Sequence, residues 1–406
     1  MSLPTSLEPD AARPADAALQ TAEAGRLRAE AGRLRAAARA TRLVFLVLGL
    51  AVAAWAPLVP VVKSKLSLDD GTLGLLLLGI GGGAMVFMPV AGFLIHRHGT
   101  RPVMLVGGLL SCLALPLLLV APTILLLALA LVLFGAALGA IDVAVNAHAV
   151  VVERQAGRPL MSGFHGLYSA GGLVGALGMS ALLAFDVDLV RATVAIGVVL
   201  AIILVAQGPG FLSREADRDG SERHTFALPR GSVLPVGLLC FIAFLAEGAV
   251  LDWSAVFLRF SRGLDIGQAG LGYAAFSLAM TAGRLFGDRI TARVGPRAIL
   301  RWGGLIAAMG FVLAVLAPSG LVGMLGFALV GIGASNIVPV LFSTAGRLPG
   351  MSPSVAMAAV TTVGYAGLLA GPAAIGLAAE LTTLSAALLG VAGLCVLVAL
   401  CARVAR

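Results

Sequence analysis

Long apolar runs alternate with short charged gaps along almost the whole chain. Twelve such runs can be drawn, at about 43–62, 71–95, 103–121, 123–150, 163–185 and 191–209, then 233–258, 269–290, 299–317, 319–344, 355–378 and 383–402. Each is near the roughly 20 residues that carry a helix across a bilayer. In hydrocarbon the backbone must satisfy its own N–H and C=O groups, which a helix does within one segment. A membrane barrel would alternate apolar and polar residues in strands of about ten. Here the runs are continuous, as from Ile124 to Phe134. The pattern predicts an all-α membrane protein with twelve transmembrane helices.

The polar stretch at 210–232 divides these spans into two sets of six, 43–209 and 233–406. The sets are related. Trp55 is followed at a fixed spacing by Leu73 and Gly74, and Trp253 by Leu271 and Gly272. Gly99-Thr100-Arg101 aligns with Gly295-Pro296-Arg297, and Gly135 with Gly331. Two repeats of six spans in one orientation fit the parallel-repeat plan of membrane carriers. Ahead of them, residues 1–42 are rich in Ala and Arg and repeat Glu-Ala-Gly-Arg-Leu-Arg-Ala at 23–29 and 30–36. This segment reads as an unstructured tail, with a basic helix on the inner leaflet as the alternative.

Charge then fixes the expected orientation. Arg26 to Arg42 precede the first span; Arg97 and Arg101 follow the second, Arg154 and Arg158 the fourth, Arg293 and Arg297 the eighth. The opposite gaps hold only Lys63, Lys65, Arg191, Arg259 and Arg262. The positive-inside rule places both termini in the cytoplasm. The net charge of +8 is thereby explained without nucleic acid. Composition agrees: 59% of residues are hydrophobic, 12% are charged, and the mean hydropathy is +1.02. Cys112, Cys240, Cys395 and Cys401 sit within or at the ends of spans, have no metal-ligand spacing and read as small buried hydrophobes. Leu43–Leu50 resembles a signal-peptide core, but apolar sequence continues to Val62, so the span reads as retained. No metal or cofactor motif and no enzyme signature appears, and Gly81-Gly82-Gly83 lies inside a span rather than around a phosphate.

An ionisable side chain inside a span is costly and is a functional candidate by default. On the fourth span Gly139, Asp142, Asn146 and Glu153 follow at helical steps and share one face. Asp142 and Asn146 lie deep, as groups for a solute or a proton, or as an interhelix hydrogen bond; Glu153 lies at the end, where an arginine could pair with it. Glu247 and Asp252 on the seventh span are five residues apart and cannot share a face. Glu247 is the candidate proton carrier, with a static polar contact as the alternative; Asp252 reads as part of a gate. His165 opens the fifth span and suits a gate or a packing contact. Arg284 and Asp288 are spaced to pair at i, i+4 on the eighth span. Asn336 and Pro339 mark a kink in the tenth span with a polar lining, and Tyr365 adds a hydroxyl on the eleventh.

The loop after the second span reads Gly92-Phe93-Leu94-Ile95-His96-Arg97-His98-Gly99-Thr100-Arg101. It resembles the Gly-x-x-x-Asp-Arg-x-Gly-Arg-Arg signature of the major facilitator superfamily, with His96 at the acidic position and Thr100 in place of an arginine. Trp55-Ala56-Pro57, Asp142-Val143-Ala144-Val145-Asn146 with Glu153, His165-Gly166, Asp252-Trp253-Ser254 and Asn336-Ile337-Val338-Pro339 are similar to the sugar-permease-like branch that includes fucose permease. The resemblance covers about residues 40–405 and implies a monomeric secondary transporter working by alternating access. It implies a small organic solute, a sugar or related polar metabolite, coupled to protons. Asp142, Asn146, Glu247, Asn336 and Tyr365 would meet the solute, Glu247 and Asp142 the proton, and His165, Asp252, Arg284, Asp288, Arg97 and Glu153 the gates. A drug or metabolite exporter running as a proton antiporter, and a non-transporting receptor on the same fold, are the alternatives.

Overall fold

A computed structural model describes residues 14–157, 160–212, 233–345, 347–348 and 353–405. Numbered by apolar span, its helices in the first half are α1 Pro14–Trp55, α2 Asp70–His98, α3 Thr100–Val120, α4 Ile124–Ala156, α5 Met161–Ala184 and α6 Leu189–Gln207. The second half has α7 Val233–Val256, α8 Leu271–Val294, α9 Pro296–Leu316, α10 in two pieces, Gly320–Ala334 and Ile337–Ala345, α11 Pro353–Leu381 and α12 Leu384–Leu400. No strand occurs among the described residues. Eleven of the spans are long and apolar enough to cross a membrane. The twelfth, α8, carries Arg284, Asp288, Arg289 and Arg293, which lower its hydropathy. It takes its place in the bundle against α10 and α5, with Arg284, Arg289 and Arg293 exposed. The expected linker is described only to Leu212; residues 213–232 lie outside the described residues.

The internal repeat is visible in the backbone. Gly99 and Gly295 have φ of 86° and 84°, a region open chiefly to glycine. Each ends one helix and starts the next, with its N–H donated to Ile95 O or Thr291 O. Thr123 and Ser319 are both extended, and each hydroxyl accepts the backbone N–H three residues on, from Leu126 or Val322. The helix pairings repeat too: α1 with α5 as α7 with α11, α2 with α4 as α8 with α10, α3 with α6 as α9 with α12.

Small residues set these pairings. A Cβ on Gly135 would overlap the Ile80 carbonyl of α2, and one on its repeat partner Gly331 the Phe276 carbonyl of α8. Gly171 and Gly175 meet the α1 backbone in the same way, and Gly367 the α7 backbone. Helices in lipid gain little from hydrophobic burial, so close backbone approach is what holds them. Cys112, Cys240 and Cys395 are buried as free thiols, and Cys401 is half-buried.

Two departures from the expected elements stand out. From Pro14 the segment read as an unstructured tail is helical, continuous with the first span in α1. Ala- and Arg-rich sequence has high helix propensity, and the membrane span supplies the nucleus. Packing on the bundle begins near Ala37, and Arg33, Arg35 and Arg39 stay exposed. The second departure is in α10, where the kink foreseen at Asn336 and Pro339 is a full interruption at Ser335–Asn336.

The two bundles touch mainly at the end remote from the termini. There the Gly71 N–H of α2 donates to Glu380 of α11 at 3.4 Å, and Gly74 lies against Pro372 and Gly376. Gly270 lies against Pro57 and Ser180, and Gly267 against Ala184. Lys63 pairs with Asp70 at 2.8 Å on the same face. Toward the termini-bearing end, His165 and Gly163 of α5 are exposed. Among the described residues the bundles meet at the far end, and their facing side chains become exposed toward the termini.

Candidate solute-binding recess

Five helices bring polar side chains to the space between the bundles. On α4, Asn146 donates its amide to the Asp142 carbonyl at 2.9 Å and to the Asp142 carboxylate at 3.1 Å. The i, i+4 spacing allows this, so part of the stripe seen in the sequence is self-bonded. Both side chains keep partial exposure.

On the other bundle Arg284 of α8 reaches Glu247 of α7 at 3.3 Å, and its Nε donates to the Ser335 carbonyl at the α10 break. The Arg284 guanidinium thus crosses between helices, a contact that the i, i+4 spacing to Asp288 along α8 did not foretell. The side chain of Asp288 lies outside the described residues. Arg284 is 38% exposed and Glu247 18%, although both are held between helices. An exposed charge in such a place faces an open recess rather than lipid, where it would cost several kcal/mol (about 3 on insertion scales).

Tyr365 of α11 stacks on Phe244 of α7, ring centroids 5.3 Å apart and 10° from parallel. It too is exposed, at 37%. Tyr168 of α5 lies within electrostatic reach of Asp142, Glu247 and Arg284, and Tyr273 of α8 within reach of Tyr168. The Tyr273 hydroxyl also approaches Gly172 of α5, across the bundle interface. The chain has only three tyrosines, and all three gather here. Sequence reasoning named Tyr365 alone and missed Tyr168, Tyr273 and Phe244. The signal that could have found them was scarcity: three tyrosines, each inside a span.

Other expected site residues sit elsewhere or do structural work. Asn336 donates to the Gly283 carbonyl of α8 and to Ser335 Oγ, both at 3.0 Å, and Gly287 is the glycine that makes room for it. Its amide joins the broken helix to α8. Glu153 accepts the backbone N–H groups of Leu160 and Met161, the latter at 2.7 Å. It caps the start of α5, where helix N–H groups have no partner of their own. Asp252 is buried toward the far end of α7 and makes no ion pair among the described residues. His165 packs on Phe45, 5.0 Å between centroids, at the open mouth. Arg97 is exposed in the last turn of α2.

His148, on the other side of α4 from the recess, is fully buried and bonded at both nitrogens. Nε2 accepts the Leu212 N–H at 3.0 Å, so Nδ1 is the protonated nitrogen and donates to Thr41 Oγ1 at 2.9 Å. Thr41 passes its own proton to the Ala37 carbonyl. This chain of bonds ties α1, α4 and the end of α6 together. Among the described residues no group of three or more His, Cys, Asp or Glu side chains could hold a metal ion.

Comparison with known proteins agrees with this architecture. The chain is similar to the nucleoside transporter NupG in structure, with a TM-score of 0.70 at 14% identity over 91% of this chain and 98% of that one. The E. coli fucose:proton symporter FucP gives a TM-score of 0.59 at 16% identity, over 91% and 98%. In sequence it is 50% identical over 367 residues to an uncharacterized MFS-type transporter of Yersinia pestis, covering 90% of this chain and 94% of that protein. It is 36% identical to the membrane protein MosC of Rhizobium meliloti, over 89% and 88%. Residues 43–367 match the family model described as Major Facilitator Superfamily. The chain therefore belongs to the major facilitator superfamily, as a multi-pass membrane transporter.

Proposed function

We propose that this chain is a proton-coupled secondary transporter that carries one small polar organic solute by alternating access. The observation that supports it most is the recess open at one end of the bundle interface. Asp142 and Asn146 face it from the first bundle, and Glu247, Arg284 and Tyr365 from the second. A solute bound between the bundles would contact both, so its binding could draw the mouth shut and release the far end. The far-end contacts suit this motion. They include close approaches at glycines, one carboxylate-to-amide bond, and Lys63 over the Phe260 ring, whose charge stays paired with Asp70 of its own bundle when the bundles part.

The working protein on this reading is a monomer in a bacterial inner membrane with both termini in the cytoplasm, so the structure is the inward-facing state. Glu247 and Asp142 are the proton sites. A proton on Glu247 would release Arg284, which would then be free to meet the solute or to shift against the α10 break. Gates at the open mouth would form from Arg97, His165 and Asp288, and at the closed end from Asp252. The nucleoside and fucose transporters of similar fold support a solute of sugar-like size and polarity.

The test uses proteoliposomes holding an internal pH dye. Sugars, nucleosides, organic acids and amines are added one at a time to the native chain and to Glu247→Gln. A solute-triggered pH change that the variant loses supports the reading. Solute uptake that moves no protons would make the protein a facilitator and Glu247 a structural partner of Arg284.

A further inference from the structure

The charges around the recess do not balance. The Arg284 guanidinium is met by Glu247 at 3.3 Å. Asp142 has only the neutral amide of Asn146, at 3.1 Å, and no arginine or lysine pairs with it among the described residues. The helices packed on α4 offer no cation at that depth. α1 and the residues after it are uncharged from Leu43 to Val62, α2 from Gly71 to Ile95, and α3 from Pro102 to Val120. On α5 the titratable groups are His165, at the mouth, and Tyr168. Among the described residues two carboxylates and one guanidinium meet here, so with both carboxylates ionised a single negative charge is left, on α4.

The rest of the wall is aromatic. The Phe244–Tyr365 stack faces the recess, and Tyr168 and Tyr365 lie within reach of Asp142. Aromatic faces carry negative potential and attract ammonium groups, by about 0.5–2 kcal/mol each. A partly desolvated carboxylate does the same more strongly. A carboxylate solute would be repelled by Asp142 and would find Arg284 already engaged. A neutral polyol would leave the Asp142 charge unmatched.

We propose that the transported solute bears a protonated amine, bound by Asp142 between the tyrosine rings, and that a proton and this amine displace one another at Asp142. The carboxylate holds either the ammonium or a proton, so charge is conserved as the two are exchanged across the membrane. This rests on the transporter reading above and names the solute class of the same recess.

The experiment uses the full chain in lipid nanodiscs and in proteoliposomes with the internal pH dye. The probes are two matched sets: glucosamine, glucose and glucuronate; tryptamine, indole-3-ethanol and indole-3-acetate. The expected result is that an amine member raises the melting temperature and drives proton movement opposite to its own. Its binding should tighten as pH rises and weaken about tenfold or more in Asp142→Asn, a loss of about 1.4 kcal/mol. Neutral or anionic members binding as tightly as their amines would overturn the proposal, as would an amine preference that survives Asp142→Asn, or no amine binding to cooperatively melting protein. Uptake of neutral members without amine preference would overturn it while leaving the transporter reading intact. Amine binding lost in Asp142→Asn, with no member transported, would support the amine site and sink the transporter reading.

Discussion

α4 and α10 occupy the same place in the two repeats, yet they handle polar residues in opposite ways. α4 runs unbroken for 33 residues and presents Asp142 and Asn146 to the recess. α10 breaks at Ser335–Asn336, and there the Asn336 amide donates to the neighbouring α8 while the Ser335 hydroxyl donates back to Ile332. Gly283 and Gly287 of α8 provide the space, since a Cβ at either would overlap Ser335 or Asn336. The repeat thus divides labour. One copy keeps a carboxylate bonded only within its own helix; the other spends its amide on holding a broken helix, and its backbone carbonyl on orienting Arg284. An intramembrane polar residue is a functional candidate until its hydrogen bonds are counted.

Substitutions can break this contrast, beginning with the framework that both copies share. Gly135→Val and Gly331→Val should each abolish folded protein, because both glycines touch a carbonyl of the adjacent helix. Size-exclusion profiles of detergent-extracted protein would check this, and survival of either variant would show that its repeat tolerates a wider crossing. Next in size is Asp142→Asn, which should cut solute flux in proteoliposomes by about a hundredfold or more, as expected when an ionic contact of several kcal/mol is lost, while melting stays cooperative. Asn336→Ala should do the reverse. It should destabilise by about 1–3 kcal/mol through the unmade bonds to Gly283 of α8 and to Ser335, seen in thermal unfolding, and leave flux per folded molecule within a few-fold. If Asn336→Ala loses flux at full stability, α10 works as α4 does, and the contrast fails.

The smallest effect lies outside the membrane. Asp69 caps α2 by accepting the Thr72 N–H at 2.6 Å and its hydroxyl at 2.9 Å, and these bonds hold its carboxyl below the usual value of 3.8. The folded state therefore favours the ionised form. The contribution is complete above pH 3.8 and fades as pH falls through the lowered value. Hydrogen exchange at the start of α2 should quicken only in that acidic window, and Asp69→Asn should flatten the dependence.

Much of this fold was legible in the sequence because hydropathy and helix length report directly on a bilayer. The span limits, the two halves and the glycine crossings all follow from period and composition. α8 shows where that reading strains: its four charges leave it too polar to stand out by hydropathy, and its neighbours in the fold identify it as a span. The site was legible in part. Asp142, Glu247, Arg284 and Tyr365 stood out as polar groups within spans. Their pairing did not, because Glu247 and Arg284 belong to different helices, and a helical wheel orders residues only within one helix. Glu153 stood out for its charge alone, while the backbone N–H groups that it caps carry no mark in a sequence.

α1 has one further use. A helix advances about 1.5 Å per residue, so the turns from Ala37 back to Pro14 project about 35 Å from the bundle on which the helix is seated. They form a pointer fixed to the first six helices. A rotation of that bundle by about 10° would sweep its tip through about 6 Å. A spin label or fluorophore near Glu23 would magnify a movement too slight to see at the recess, and would read conformation without touching a single residue of the transport path.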